Sequence, residues 1–220
     1  DLLPCRRCKR QWHRAYAGHV DEIWRRGFFC PSCQPHANQP NLLTAATLPH
    51  SHLSIYMEGH LNDWLETKSI NSKLFVRVLS DSKKTVEIKS EMRKLFVETR
   101  KIPKSIPYRQ KAIFAIQELP DGKEVCLFGM QTQEYTGDSS DPNSRRIYLA
   151  YMDSLKYFNP SQYRTEFYQK MIISYFDYCR NRGFTFAHIW ACLPAGCKDY
   201  LFRKHPPDQR VLTSEQLQKW

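Results

Sequence analysis

Two Cys-x-x-Cys pairs, Cys5/Cys8 and Cys30/Cys33, fall within the first 33 residues and constrain the start of the chain more than any other feature. Each such turn sets two thiolates on one side of a tight loop, and two turns together complete a tetrahedral zinc site of four cysteines. The alternative is a basic loop with free thiols. Two such pairs with His and Trp residues between them argue against it. The other four cysteines, Cys126, Cys179, Cys192 and Cys197, are scattered through apolar or mixed segments. Paired spacing followed by isolated residues reads as metal binding plus buried thiols in a reducing, intracellular compartment, and not as a disulfide framework.

With 220 residues, 41% of them hydrophobic, there is enough apolar material for one well-packed domain and a small satellite. Lys and Arg exceed Asp and Glu by 11, a surplus that suits an anionic partner such as nucleic acid, a membrane surface or a phosphorylated cofactor. A solvated basic surface accounts for it equally well. No stretch approaches the roughly 20 apolar residues of a membrane span, and no signal peptide opens the chain.

Residues 1–33 read as the zinc module and 34–51, polar, Pro-bearing and aperiodic, as a linker. From His52 the pattern changes: Leu53, Tyr56, Met57, Leu61, Trp64 and Leu65 recur at helical spacing. Strand-like runs follow at 74–79, 85–89, 112–119, 125–135 and 145–153, several of them separated by Pro, Gly, Asp or Ser. A helix is expected from about 160 to 182, with Asn159 as N-cap, Pro160 at the first position and Gly183 closing it. A strand at 184–192 comes next, so strand, helix and strand form a right-handed crossover whose two strands are parallel neighbours. The fold class is α+β: a mixed core over 52–220, with a central sheet and a buried helix, preceded by a small zinc finger.

The order Cys5-x-x-Cys8, His13, Trp24, Cys30-x-x-Cys33 resembles the second half of a PHD finger. In that family two zinc ions are bound in cross-braced fashion. The resemblance implies a complete second site in Cys5, Cys8, Cys30 and Cys33, with His13 the remnant of the first. Where that first site needs a further Cys, this chain has Tyr16. The other histidines, His205 among them, lack paired ligand spacing and read as surface or core residues.

Six segments carry a second resemblance: KTVEIK (84–89), PYRQKAIFA (107–115), FGMQTQEY (128–135), RRIYLAYMDS (145–154), HIWAC (188–192) and HPPDQ (205–209). In this order and spacing they resemble the catalytic domain of histone acetyltransferases of the CREB-binding-protein type. The resemblance implies a lysine acetyltransferase and transcriptional coactivator that uses acetyl-CoA, works in the nucleus on chromatin, and acetylates histones and transcription factors. It also implies a fragment, truncated at the C-terminus. By the same match Met152, Asp153 and Ser154 end the strand along which the pantetheine arm runs, and Arg164 and Thr165 contact the pyrophosphate. Trp190 lines the lysine tunnel, and Gln209, Arg210 and Val211 lie in the loop over the cofactor. Trp220 closes the cofactor-binding Leu-Gln-x-Trp segment. The residues support the pyrophosphate assignment by themselves, since a helix N-terminus with an adjacent Arg and hydroxyl serves an anion well.

Acyl transfer needs a deprotonated lysine, whose ordinary pKa is about 10.4, and the departing thiolate gains from a proton donor. The resemblance assigns that donor to a Tyr directly after Trp220. Gln216 stands where the family has a basic residue. Two other classes of function compete. One is a non-catalytic chromatin-binding adaptor with a degenerate cofactor pocket. The other is a nucleic-acid-binding zinc protein, against which stand dispersed basic residues and the absence of the spacing of a DNA-reading finger. Neither membrane association nor sequence-specific DNA binding is expected.

Overall fold

A computed structural model of the chain describes residues 2–13, 17, 27–33, 44–95, 103–190, 201, 202, 205–209 and 213–219. The chain divides into two units, 1–44 and 45–220. In the first, strands β1 (Leu2–Pro4) and β2 (Gln11–His13) pair antiparallel, with Leu3 opposite Trp12. The Cys5–Cys8 turn joins them. Its ends are tied by Cys5 N–H to Arg10 O and by Lys9 N–H to Cys5 O, both 2.9 Å. Leu3, Trp12, Ala17 and Phe28 pack around the cysteines.

The second unit is built on a five-stranded sheet in the order β3 (Lys73–Glu87), β4 (Ser105–Glu118), β5 (Glu124–Tyr135), β6 (Arg146–Ser154) and β7 (Phe186–Ile189). All neighbours are antiparallel except β6 and β7, which run parallel with Arg146 opposite Phe186 and Leu149 opposite Ile189. The two strands expected to be parallel neighbours are so, and the second is shorter than the expected 184–192. Two longer helices, α1 (His52–Thr67) and α3 (Arg164–Asn181), share one core with the sheet. Two short ones, α2 (Ser90–Leu95) and α4 (Ser214–Lys219), complete the described α-helices. None of the described helices is long and apolar enough to cross a membrane.

Local chemistry explains the helix boundaries. Ser51 and Ser54 form a reciprocal capping box at the start of α1, satisfying two otherwise unpaired N–H groups. Leu53, Met57, Leu61 and Leu65 then recur every fourth residue and are buried on one stripe. Tyr56 lies at the margin of that stripe and donates its hydroxyl to Asp177 of α3. At the end of α3, Gly183 takes a left-handed φ of 91° while Phe184 N–H returns to Cys179 O.

Three sequence expectations are corrected. Asn159 is not the N-cap of the long helix: its N–H and C=O both bond the buried side chain of Gln117, a 3-10 turn spans Ser161–Tyr163, and α3 begins at Arg164. The runs 74–79 and 85–89 are one strand. The polar stretch between them is carried along by pairing with β4, reinforced by the Asp81–Arg109 ion pair. A bulge between Val78 and Ser80 leaves Leu79 out of the register. Residues 45–51, read as the end of a linker, belong to the second unit. Ala45 N–H donates to both carboxylate oxygens of Glu124, 2.9 Å each, and Ala45 O accepts from Arg77 Nε at 2.8 Å.

Cys126 and Cys179 behave as structural thiols. Burial pushes Cys126 up to about 11 and Cys179 up to about 12, so both stay protonated and inert near neutrality. On the sheet, Gly129 permits a close approach that a side chain would block. A Cβ there would lie 2.8 Å from the Phe114 ring and 3.1 Å from Leu201 Cδ1. Gly129→Ala is therefore expected to cost about 1–3 kcal/mol by overpacking. A urea midpoint equal to that of the unsubstituted protein would refute this.

Candidate functional site

The site is assembled where β6 ends and the chain turns into α3. Asp153, 9% exposed, closes β6 with four donors on its carboxylate. Oδ2 accepts the N–H groups of Leu201 (3.1 Å) and Phe202 (2.9 Å). Oδ1 accepts Ser154 N–H (2.8 Å) and pairs with His205 Nε2 (2.6 Å). One residue later, Ser154 O accepts from Gln209 Nε2 at 2.7 Å, while Lys156 N–H donates to Gln209 Oε1 at 2.9 Å. Lys156 also pairs with Asp208, whose carboxyl that hydrogen bond holds below the usual range.

α3 leaves from the same turn. Arg164, its first residue, is half-buried and reaches Lys156 O with Nη1 at 3.3 Å. Tyr168, one helical turn on, donates its hydroxyl to Leu155 O at 2.7 Å. The residue before the helix, Tyr163, makes no side-chain cap, and Arg164 N–H is accepted by Ser161 O of the preceding 3-10 turn. Glu166 anchors this end to α1, accepting Trp64 Nε1–H at 2.8 Å and pairing with Lys68 at 3.2 Å. The Trp64 hydrogen bond, more than the lysine, keeps its carboxyl ionised.

Of the residues singled out in the sequence, Met152, Asp153, Ser154, Arg164 and Gln209 gather around this turn. Thr165 follows Arg164 and is exposed. Trp190 stands apart at the end of β7, 61% exposed, with its N–H on Leu149 O of β6 at 3.0 Å. Arg210, Val211 and Trp220 lie outside the described residues, as do Tyr16 and the side chain of His13. Sequence reasoning missed Lys156 and took His205 for an ordinary surface or core residue. No periodicity could have revealed either, because their partners lie 52 residues away.

The first unit carries a separate cluster. The sulfurs of Cys5, Cys8, Cys30 and Cys33 all lie within 4.8 Å of one another, and Cys8 and Cys30 are 3.7 Å apart. Zn–S bonds of about 2.3 Å at tetrahedral angles put sulfurs roughly 3.8 Å apart, so the donor set fits zinc in type, number and spacing. Burial raises the Cys5 thiol, but N–H groups of Cys30, Cys8 and Arg7 outweigh it and bring it down to about 6. Burial, with the neighbouring sulfurs, pushes Cys33 up to about 12. A divalent cation at the centre of the cluster would favour the thiolate form that zinc coordination requires.

Residues 61–220, the stretch that contains the whole β6–α3 turn and the segment folded against it, match the histone acetyltransferase domain KAT3. The chain belongs to this family. It is 38% identical over 223 residues to Protein cbp-1 of Caenorhabditis elegans, an alignment covering 98% of this chain and 11% of that protein. It is 34% identical over 253 residues to Histone acetyltransferase HAC12 of Arabidopsis thaliana, covering 99% of this chain and 15% of the relative. A similar match, 34% over 252 residues, is found to Probable histone acetyltransferase HAC-like 1 of Oryza sativa subsp. japonica. The chain spans between 11% and 15% of the length of these three relatives.

Proposed function

We propose that the chain supplies the acetyl-CoA-binding part of a lysine acetyltransferase that acts on histones and transcription factors in the nucleus. In this reading the second unit is the acetyltransferase core, taking in Ala45–Ser51, and the first is a PHD-type finger holding zinc through Cys5, Cys8, Cys30 and Cys33. Bound acetyl-CoA supplies the thioester; this chain's residues bind and orient it. Met152, Asp153 and Ser154 run beside the pantetheine arm, and Arg164 and Thr165 hold the pyrophosphate at the start of α3. Gln209, Arg210, Val211 and Trp220 cover the cofactor, and Trp190 lines the path of the substrate lysine.

The observation that carries the reading is the start of α3. A half-buried arginine stands at the first position of a helix whose N-terminus no side chain caps, an arrangement that supports binding of an anion there. Arg164→Ala should weaken acetyl-CoA binding by about 1.5–3 kcal/mol, the worth of a hydrogen bond to a charged group. Its melting temperature should hardly move, since Arg164 makes one long contact to a carbonyl. Calorimetric titration with acetyl-CoA is the direct measurement. Unchanged affinity would remove Arg164 from the pocket, and a protein that binds no cofactor would favour the chromatin-binding adaptor.

A further inference from the structure

We propose that Asp153 is a positioning residue: its carboxylate latches the segment carrying Gln209 onto the β6–α3 turn, and His205 is the bolt. The inference rests on the reading above that Gln209 covers the cofactor.

Four donors converge on this carboxylate, and three of them come from the segment to be held: Leu201 N–H, Phe202 N–H and His205 Nε2. A carboxylate offers about four acceptor positions, so Asp153 is saturated. These donors replace the water that the buried carboxylate has lost, and in the reading above it lies beside the uncharged pantetheine arm and not beside the pyrophosphate.

The segment is seated by shape as well. Leu201 packs over the space that Gly129 leaves on the sheet, and the Phe202 ring meets Phe114 edge-on at 6.4 Å. Between His205 and Gln209 the chain makes one tight turn, with Gln209 N–H on Pro206 O at 2.9 Å and Pro206 buried. The place of Gln209 therefore follows from that of His205. Its side chain then closes a second clasp on Ser154 O and Lys156 N–H. Two anchor points, 153 and 154–156, hold one segment.

The experiment uses the 220-residue chain with coenzyme A as probe and two readouts, hydrogen–deuterium exchange and calorimetric binding. In Asp153→Ala the amides of Leu201 and Phe202 should exchange at least about tenfold faster, while those of α3 keep their protection. Coenzyme A affinity should fall about tenfold in the same variant. His205→Ala should shift both readouts in the same direction, and His205→Gln, which keeps an N–H for Asp153, should restore most of the loss. If Asp153→Ala does not fold, the two His205 variants decide alone. Amides that remain protected, or that are freed with affinity unchanged, overturn the proposal. The underlying reading fails differently, by the unsubstituted chain binding no coenzyme A, and the positioning role falls with it.

Discussion

Stripping the metal from the first unit is expected to unfold it while the second unit keeps its secondary structure. The described core of the first unit consists of Cys5, Cys30 and Cys33 with Phe28, flanked by Leu3, Trp12 and Ala17, and Cys8 is exposed. The described residues thus bury far too little apolar surface to hold a small fold without the metal. Its two strands are three residues each and pair through a single short ladder. Zinc binding to small modules of this kind supplies about 10–16 kcal/mol, which is the folding free energy itself. A chelator should therefore abolish the near-ultraviolet signal of Trp12, and Cys30→Ser should do the same without chelator. Purified protein should contain about one zinc per chain, as one set of four cysteines requires. Two per chain would overturn the inference that His13 belongs to an inoperative site. A first unit that stays folded without metal would overturn the structural role of zinc.

Arg77→Ala should cost the second unit about 3–5 kcal/mol, the usual consequence of leaving a buried charge without its partner. Arg77 has no solvent exposure. It pairs with Glu58 of α1 and donates to the carbonyls of Ala45 and, at 2.6 Å, Val76. Glu58 in turn accepts Val76 N–H at 2.7 Å, so one ion pair joins helix, edge strand and the 45–50 segment. The substitution would strand Glu58 and the Ala45 carbonyl together. The midpoint of urea unfolding should fall with an unchanged slope, as expected when stability changes but the buried area does not. The double variant Arg77→Met/Glu58→Leu should recover part of the loss, because it removes the stranded carboxylate, but not all of it, because the Ala45 carbonyl and Val76 N–H still lose their side-chain partners. A loss below about 1 kcal/mol in Arg77→Ala would show that the pair is not structural.

What the chain alone determined is whatever depends on neighbours in sequence. Cysteine spacing specified the candidate metal cluster, because a Cys-x-x-Cys turn is a local geometry that brings its two sulfurs together. The apolar period from Leu53 to Leu65 and the closing Gly183 located the helices, since helical contacts join residues three or four apart. The blocks shared with the acetyltransferases identified the family. Tertiary structure decided what distant partners supply. The polar run after Leu79 extends because β4 lies beside it, and Asn159 is drawn from helix capping by Gln117, 42 residues earlier. Arg77 is buried because Glu58 and Ala45 meet it there, and His205 gains its place from Asp153, 52 residues away. A charged side chain can be buried only where the fold brings its partners, and no local pattern encodes that meeting.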